Sequence, residues 1–145
     1  MNPTTTIKIT RKDADGNLEQ TDVKMLYCAA TEVEYQKESK KTVDVFVPVI
    51  DKDEDGKPYI KEPPKATDED YLMLSMAAIR AAYECNDEQP PVTKKDIRFN
   101  ATREEVMTMI ATVIKMRHEW VFLPETIEKE TDESKVKKGG KRKNG

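Results

Sequence analysis

Glycine is scarce in this 145-residue chain, with five in all, and neither G-x-G-x-x-G nor G-x-x-x-x-G-K-[ST] occurs. A backbone cradle for phosphate is therefore not expected. Two cysteines, Cys28 and Cys85, are too few for a disulfide framework or a Cys-rich zinc site. Both fall where helix interiors are expected, so they read as small buried hydrophobes. The single histidine, His118, sits between Arg117 and Glu119 with no nucleophile marked beside it, and reads as a solvated helix-surface residue. No apolar run approaches the roughly 18–20 residues of a membrane span. The polar opening Met1–Thr6 carries no sign of a signal peptide. The net charge of −3 argues against nucleic acid as the main partner. The expectation is a non-enzymatic protein of a reducing compartment, without cofactor.

Charge is what the chain has in quantity: 25 Lys and Arg against 28 Asp and Glu. After Pro124 the apolar content collapses. Residues 125–145 hold seven basic and five acidic side chains, the bases gathered at the end in Lys137-Lys138-Gly139-Gly140-Lys141-Arg142-Lys143. Such a segment does not bury enough surface to offset backbone ordering, about 1–2 kcal/mol per residue, and is expected to be disordered. The domain is thus expected at 1–124, with 125–145 as a charged tail.

Within 1–124, Thr4–Arg11 alternates as a strand, Asp13–Asn17 forms a turn on Gly16, and Leu18–Thr21 returns as a short second strand. A first helix is predicted from Thr21 or Asp22 to Ser39, with Val23, Leu26, Tyr27, Ala30, Val33 and Tyr35 on its buried stripe. Thr42–Ile50 alternates with Val43, Val45, Val47 and Val49 on one face, and Pro48 marks it as an edge strand. Tyr59-Ile60 is expected to pair back. Thr67 caps a second helix, apolar on most faces from Tyr71 to Cys85, which is the expected centre of the core. Thr93–Asp96 starts a short helical turn pointing Ile97 and Phe99 inward. Thr102 and Glu105 form a capping box for the last helix, which carries Val106, Met109, Ile110, Val113 and Trp120 and is expected to stop at Leu123-Pro124. The fold class is α+β, predominantly helical, with three main helices, an N-terminal β-hairpin and a small hairpin inserted at 42–64.

One segment has metal-ligand spacing. Asp51–Glu62 places Asp51, Asp53 and Asp55 at positions 1, 3 and 5 of an EF-hand loop, Lys57 at 7 and Glu62 at 12. These oxygens suit Ca²⁺. The flanks are wrong, however: a Val-rich strand precedes the loop, Pro63-Pro64 follows, and Pro58 lies inside it. A solvated hairpin turn is the favoured reading, and calcium stays an alternative. The Met73, Met76, Met107, Met109 and Met116 group fits core filling first and an adaptable peptide-binding surface second.

Three stretches, LYCAATEVEYQKESKK (Leu26–Lys41), ATDEDYLMLSMAAIRAAYECNDEQPPVTKKDI (Ala66–Ile97) and REEVMTMIATVIKMRHEW (Arg103–Trp120), resemble the tail assembly chaperones of long-tailed bacteriophages and prophages. They look like that family's early helix, its central Ala-rich helix with the following PP-V-T-x-x-D loop, and its last helix, and cover roughly half the chain. The resemblance implies a non-enzymatic protein of the bacterial host cytoplasm. Its implied partners are the tape measure protein and the tail tube protein, with self-association open, and it is absent from the finished virion. It also implies a frameshifted longer product, with which the Lys-rich end is compatible. The insertion Val43–Pro64 has no counterpart in shorter members. A Ca²⁺-binding module and a generic adaptor of a mobile element are the alternatives.

Overall fold

The computed structural model describes residues 3–135, of which 123–135 are described as backbone only. In chain order the elements are β1 (Thr5–Lys12), β2 (Leu18–Met25), α1 (Ala29–Ser39), a 3₁₀ turn (Val43–Phe46), β3 (Val49–Lys52), β4 (Pro58–Glu62), α2 (Asp68–Glu84), α3 (Lys94–Phe99) and α4 (Arg103–Lys135). The fold is α+β, with two separate antiparallel hairpins, β1–β2 and β3–β4. Two compact units divide the chain, Met1–Val113 and Ile114–Gly145. The division falls inside α4, ahead of the Pro124 boundary expected from composition.

In the first unit, β1 and β2 pair from Thr5↔Met25 to Lys12↔Leu18. Ile7, Ile9, Val23 and Met25 share one face by the two-residue period and are all buried. β2 packs on α2 and β1 on α3. Helix α2 is the most enclosed element: Leu74 through Ile79 and Ala81 through Tyr83 are buried. Its alanines let neighbours approach closely enough that Leu26 N–H donates to the Ala78 carbonyl at 3.0 Å.

Three helices open with the same device. Thr67/Asp70, Thr93/Asp96 and Thr102/Glu105 are capping boxes in which hydroxyl and carboxylate satisfy each other's backbone N–H groups. Each carboxylate also reaches a second element. Asp70 accepts from the Tyr35 hydroxyl at 3.1 Å and from Lys41 Nζ at 3.0 Å. Asp96 accepts from Lys12 N–H at 3.1 Å. Glu105 accepts from Thr10 N–H at 2.8 Å, the Thr10 hydroxyl at 2.9 Å and Gln20 Nε2 at 2.9 Å. Burial works to raise all three carboxyl pKa values. The hydrogen bonds outweigh it and hold each below its ordinary range: Thr67 and Lys41 at Asp70, Thr93 and Lys12 at Asp96, Gln20 and Thr102 at Glu105.

Several expectations are corrected. The first helix starts at Ala29, because β2 runs on to Met25 and buries Val23 and Met25 by alternation; Leu26 and Tyr27 are buried in the connection. Val33 is exposed. Val43–Phe46 is a 3₁₀ turn, because Phe46 inserts between the rings of Tyr35 and Tyr71, at centroid distances of 5.0 and 5.2 Å. Phe99 is 76% exposed, and only Ile97 of that pair turns inward. Cys28 and Cys85 sit at helix ends as N-cap and C-cap residues, half-buried and exposed respectively. Helix α4 continues through Pro124 to Lys135, past the stop expected at Leu123-Pro124. Proline removes one backbone donor, and the Glu- and Lys-rich sequence after it has high intrinsic helix propensity. Residues 136–145 of the tail expected to be disordered lie outside the described residues.

Candidate functional site

The two hairpins turn through the same chemistry. Lys12-Asp13-Ala14-Asp15-Gly16 and Lys52-Asp53-Glu54-Asp55-Gly56 repeat K-D-x-D-G forty residues apart. Asp13 N–H donates to the Asn17 carbonyl at 2.8 Å, and Asp53 N–H to the Lys57 carbonyl at 2.9 Å. The Asp13 carboxylate accepts from the N–H groups of Asp15 and Asn17 at 2.9 and 2.8 Å. Asp53 accepts from those of Asp55 and Lys57, both at 2.9 Å. Gly16 and Gly56 take φ of +86° and +80°, which a Cβ would strain.

The EF-hand-like spacing is therefore distributed along a hairpin. Asp51 lies in β3 opposite Tyr59, Asp53 caps the turn, Asp55 and Lys57 donate backbone N–H groups to it, and Glu62 pairs with Val49 at the far end of β4. Asp51 also lies 4.0 Å from Lys61 Nζ. Among the described residues, no three His, Cys, Asp or Glu side chains are gathered where a metal ion could be held.

Every residue of β3 and β4 is exposed. Val47, Val49, Ile50, Tyr59 and Ile60 form the densest run of exposed large apolar side chains in the described sequence. Ile50 and Ile60 are directly opposite in the register and so share a face, with 53% and 60% of their surface in solvent.

A second surface lies along α2. A cleft of about 240 Å³ has Met76, Ile79, Val92 and Ile97 as its apolar lining and Arg80, Glu84 and Lys94 as charged members. Met73, half-buried, lines a shallow recess beside it, with Met76, Arg80, Glu34 and Glu38. The rim is tied by ion pairs, Arg80 to Glu34 and Lys94 to Glu38. The Lys94 hydrogen bond holds the Glu38 carboxyl below its ordinary range. A third surface, on the first turns of α4, exposes Met107 beside Arg103, Glu104, Thr108 and Ala111. The methionines thus divide: Met76, Met109 and Met116 are buried, whereas Met107 is open to solvent.

The buried carboxylates Asp70, Asp96 and Glu105 are saturated by structural hydrogen bonds. His118, in the second unit, is exposed and meets the Phe122 ring at 4.7 Å. Ile114, Val121 and Phe122 are exposed in that unit as well. Among the described residues no helix is long and apolar enough to cross a membrane. The sequence singled out the loop 51–62 for its carboxylates. The apolar pair Ile50–Ile60 went unnoticed, although the repeated K-D-x-D-G was a signal for two matching hairpins.

Comparison with protein-family models, with curated proteins and with solved structures gave no match.

Proposed function

We propose that this chain is a non-enzymatic tail assembly chaperone that holds the tape measure protein, the tail tube protein or both during tail morphogenesis. It would act in the cytoplasm of the bacterial host and leave before the virion is complete. The observation that carries this reading is the apolar surface offered without chemistry beside it: the Ile50–Ile60 ribbon and the Met-lined cleft of α2. Apolar patches rimmed by charge are typical of surfaces that meet another polypeptide. The resemblance of Leu26–Lys41, Ala66–Ile97 and Arg103–Trp120 to the chaperone family supplies the identity of the partners. The buried carboxylates Asp70, Asp96 and Glu105 are each engaged by hydrogen bonds that cap helices and tie elements together, which fits a non-catalytic role for them.

The test is co-expression of the tagged full chain with tube and tape measure products encoded beside it. The expected result is a soluble complex with at least one of them. If both purify without the chain, in either order of induction, the reading fails. Calorimetric titration with Ca²⁺ separates the metal-binding alternative: no saturable heat is expected, and tight binding abolished by Asp51→Ala would favour that alternative instead.

A further inference from the structure

We propose that the Ile50–Ile60 face of the β3–β4 ribbon is a docking surface for a basic amphipathic helix of a partner protein. This deepens the chaperone reading by assigning a role to the inserted segment, and rests on that reading only for the partner's name. β1–β2 is built on the same K-D-x-D-G turn with the same hydrogen bonds, and its apolar face is buried, with β2 packed on α2 and β1 on α3. The β3–β4 ribbon carries a cross-strand isoleucine pair, yet leaves it more than half exposed. A two-stranded ribbon gains little stability alone, and helix packing is what completes one.

Charge selects the kind of helix. Val49–Glu62 holds five acidic residues and three basic ones, a local net charge of −2. Asp53, Glu54 and Asp55 gather at the turn that closes the ribbon beyond the Ile pair, while Asp51 lies on the opposite face. A helix with an apolar stripe flanked by Lys or Arg complements both features, and complementary charge raises association rate and selects partners. A second copy of this chain would bring the same acidic turn. The ribbon edges also argue for docking on the face. Lys52 N–H is taken by its neighbour Asp51 at 2.8 Å, Pro58 has no N–H, and Pro48 and Pro63 bracket the strands. An added strand would find few open donors.

The test uses the full chain and two synthetic helical peptides with the same Leu/Ala stripe, one with Lys and one with Glu on its flanks, titrated by calorimetry. The Lys peptide is expected to bind at least about tenfold more tightly than the Glu peptide, with the difference shrinking as salt rises. The double variant I50S/I60S should keep the wild-type melting curve, because both side chains are exposed, and lose at least about tenfold in affinity for the Lys peptide. Equal binding of the two peptides, or an unaffected double variant, overturns the proposal. So does a Lys-bearing Val/Thr strand peptide that binds as tightly as the helix. A wild-type dimer that I50S/I60S dissociates in sedimentation would also overturn it by making a second copy the occupant. If I50S/I60S still captures tape measure and tube proteins at wild-type yield, the docking face is wrong and the chaperone reading stands. If wild type captures neither while the Lys peptide binds the Ile face, the reverse holds.

Discussion

The two hairpins begin from the same turn and end in opposite environments. Asp13 and Asp53 accept the same pair of backbone N–H groups, and Gly16 and Gly56 adopt nearly the same positive φ. β1–β2 then alternates apolar and polar residues over eight-residue strands and buries Ile7, Ile9, Val23 and Met25. β3–β4 has strands of four and five residues, a register shift at Val49/Ile50, and no buried position. Turn chemistry makes a hairpin, while strand length and the continuity of the apolar face decide whether the hairpin joins a core. The outer edges differ too. Glu105 and Asp96 take the N–H groups of Thr10 and Lys12, and the Tyr83 hydroxyl takes that of Lys24 at 3.0 Å. The second ribbon is guarded by prolines and by its own Asp51.

The largest effect that would break this contrast is at the helix behind the first hairpin. Ala78→Glu places an unpaired charge at a fully buried position of α2 and is expected to cost several kcal/mol, enough to abolish cooperative unfolding. Ile60→Glu, the same chemistry on the second ribbon, should leave stability within about 0.5 kcal/mol of wild type. Next comes Glu105→Ala, which removes a cap and strands the Thr10 and Thr102 donors; a loss of about 2–4 kcal/mol in urea unfolding is expected.

Acid should act through the same carboxylates. Asp70, Asp96 and Glu105 have folded pKa values below their unfolded ones, so their stabilisation is complete above the unfolded values, about 4, and is lost as pH falls through the folded values. Melting temperature should therefore fall steeply below about pH 4, and Glu105→Gln should flatten that fall. The smallest effects are expected at the two turn glycines. Gly16→Ala should lower global stability by about 1 kcal/mol, whereas Gly56→Ala should change it less, because the ribbon it closes opens locally.

Much of the helical frame was legible because its signals are local. Thr67, Thr93 and Thr102 with their acidic N3 partners mark three helix starts to the residue, and the apolar run Tyr71–Cys85 announces the central helix. What stayed hidden depends on distant contacts. Val23, Leu26, Tyr27 and Ala30 have helical spacing only because a strand end, a buried connection and a helix start follow one another. Val43–Val49 alternates like a strand, but burial of Phe46 between Tyr35 and Tyr71 winds its first half into a turn. The exposure of Ile50 and Ile60 was illegible for the same reason: alternation shows that two side chains share a face, and only the tertiary fold shows whether anything covers it.

Hydrogen exchange on the full chain, free and mixed with the proposed tape measure or tube partner, reports whether the second ribbon becomes covered. In the free protein the amides of Ile7 and Ile9 should be protected to the level of global unfolding, while those of β3 and β4 exchange through local opening; the complex should slow β3 and β4 selectively. Ribbon amides as protected as Ile9 in the free chain, or unchanged in a verified complex, would contradict the claim that this hairpin waits for a partner's surface.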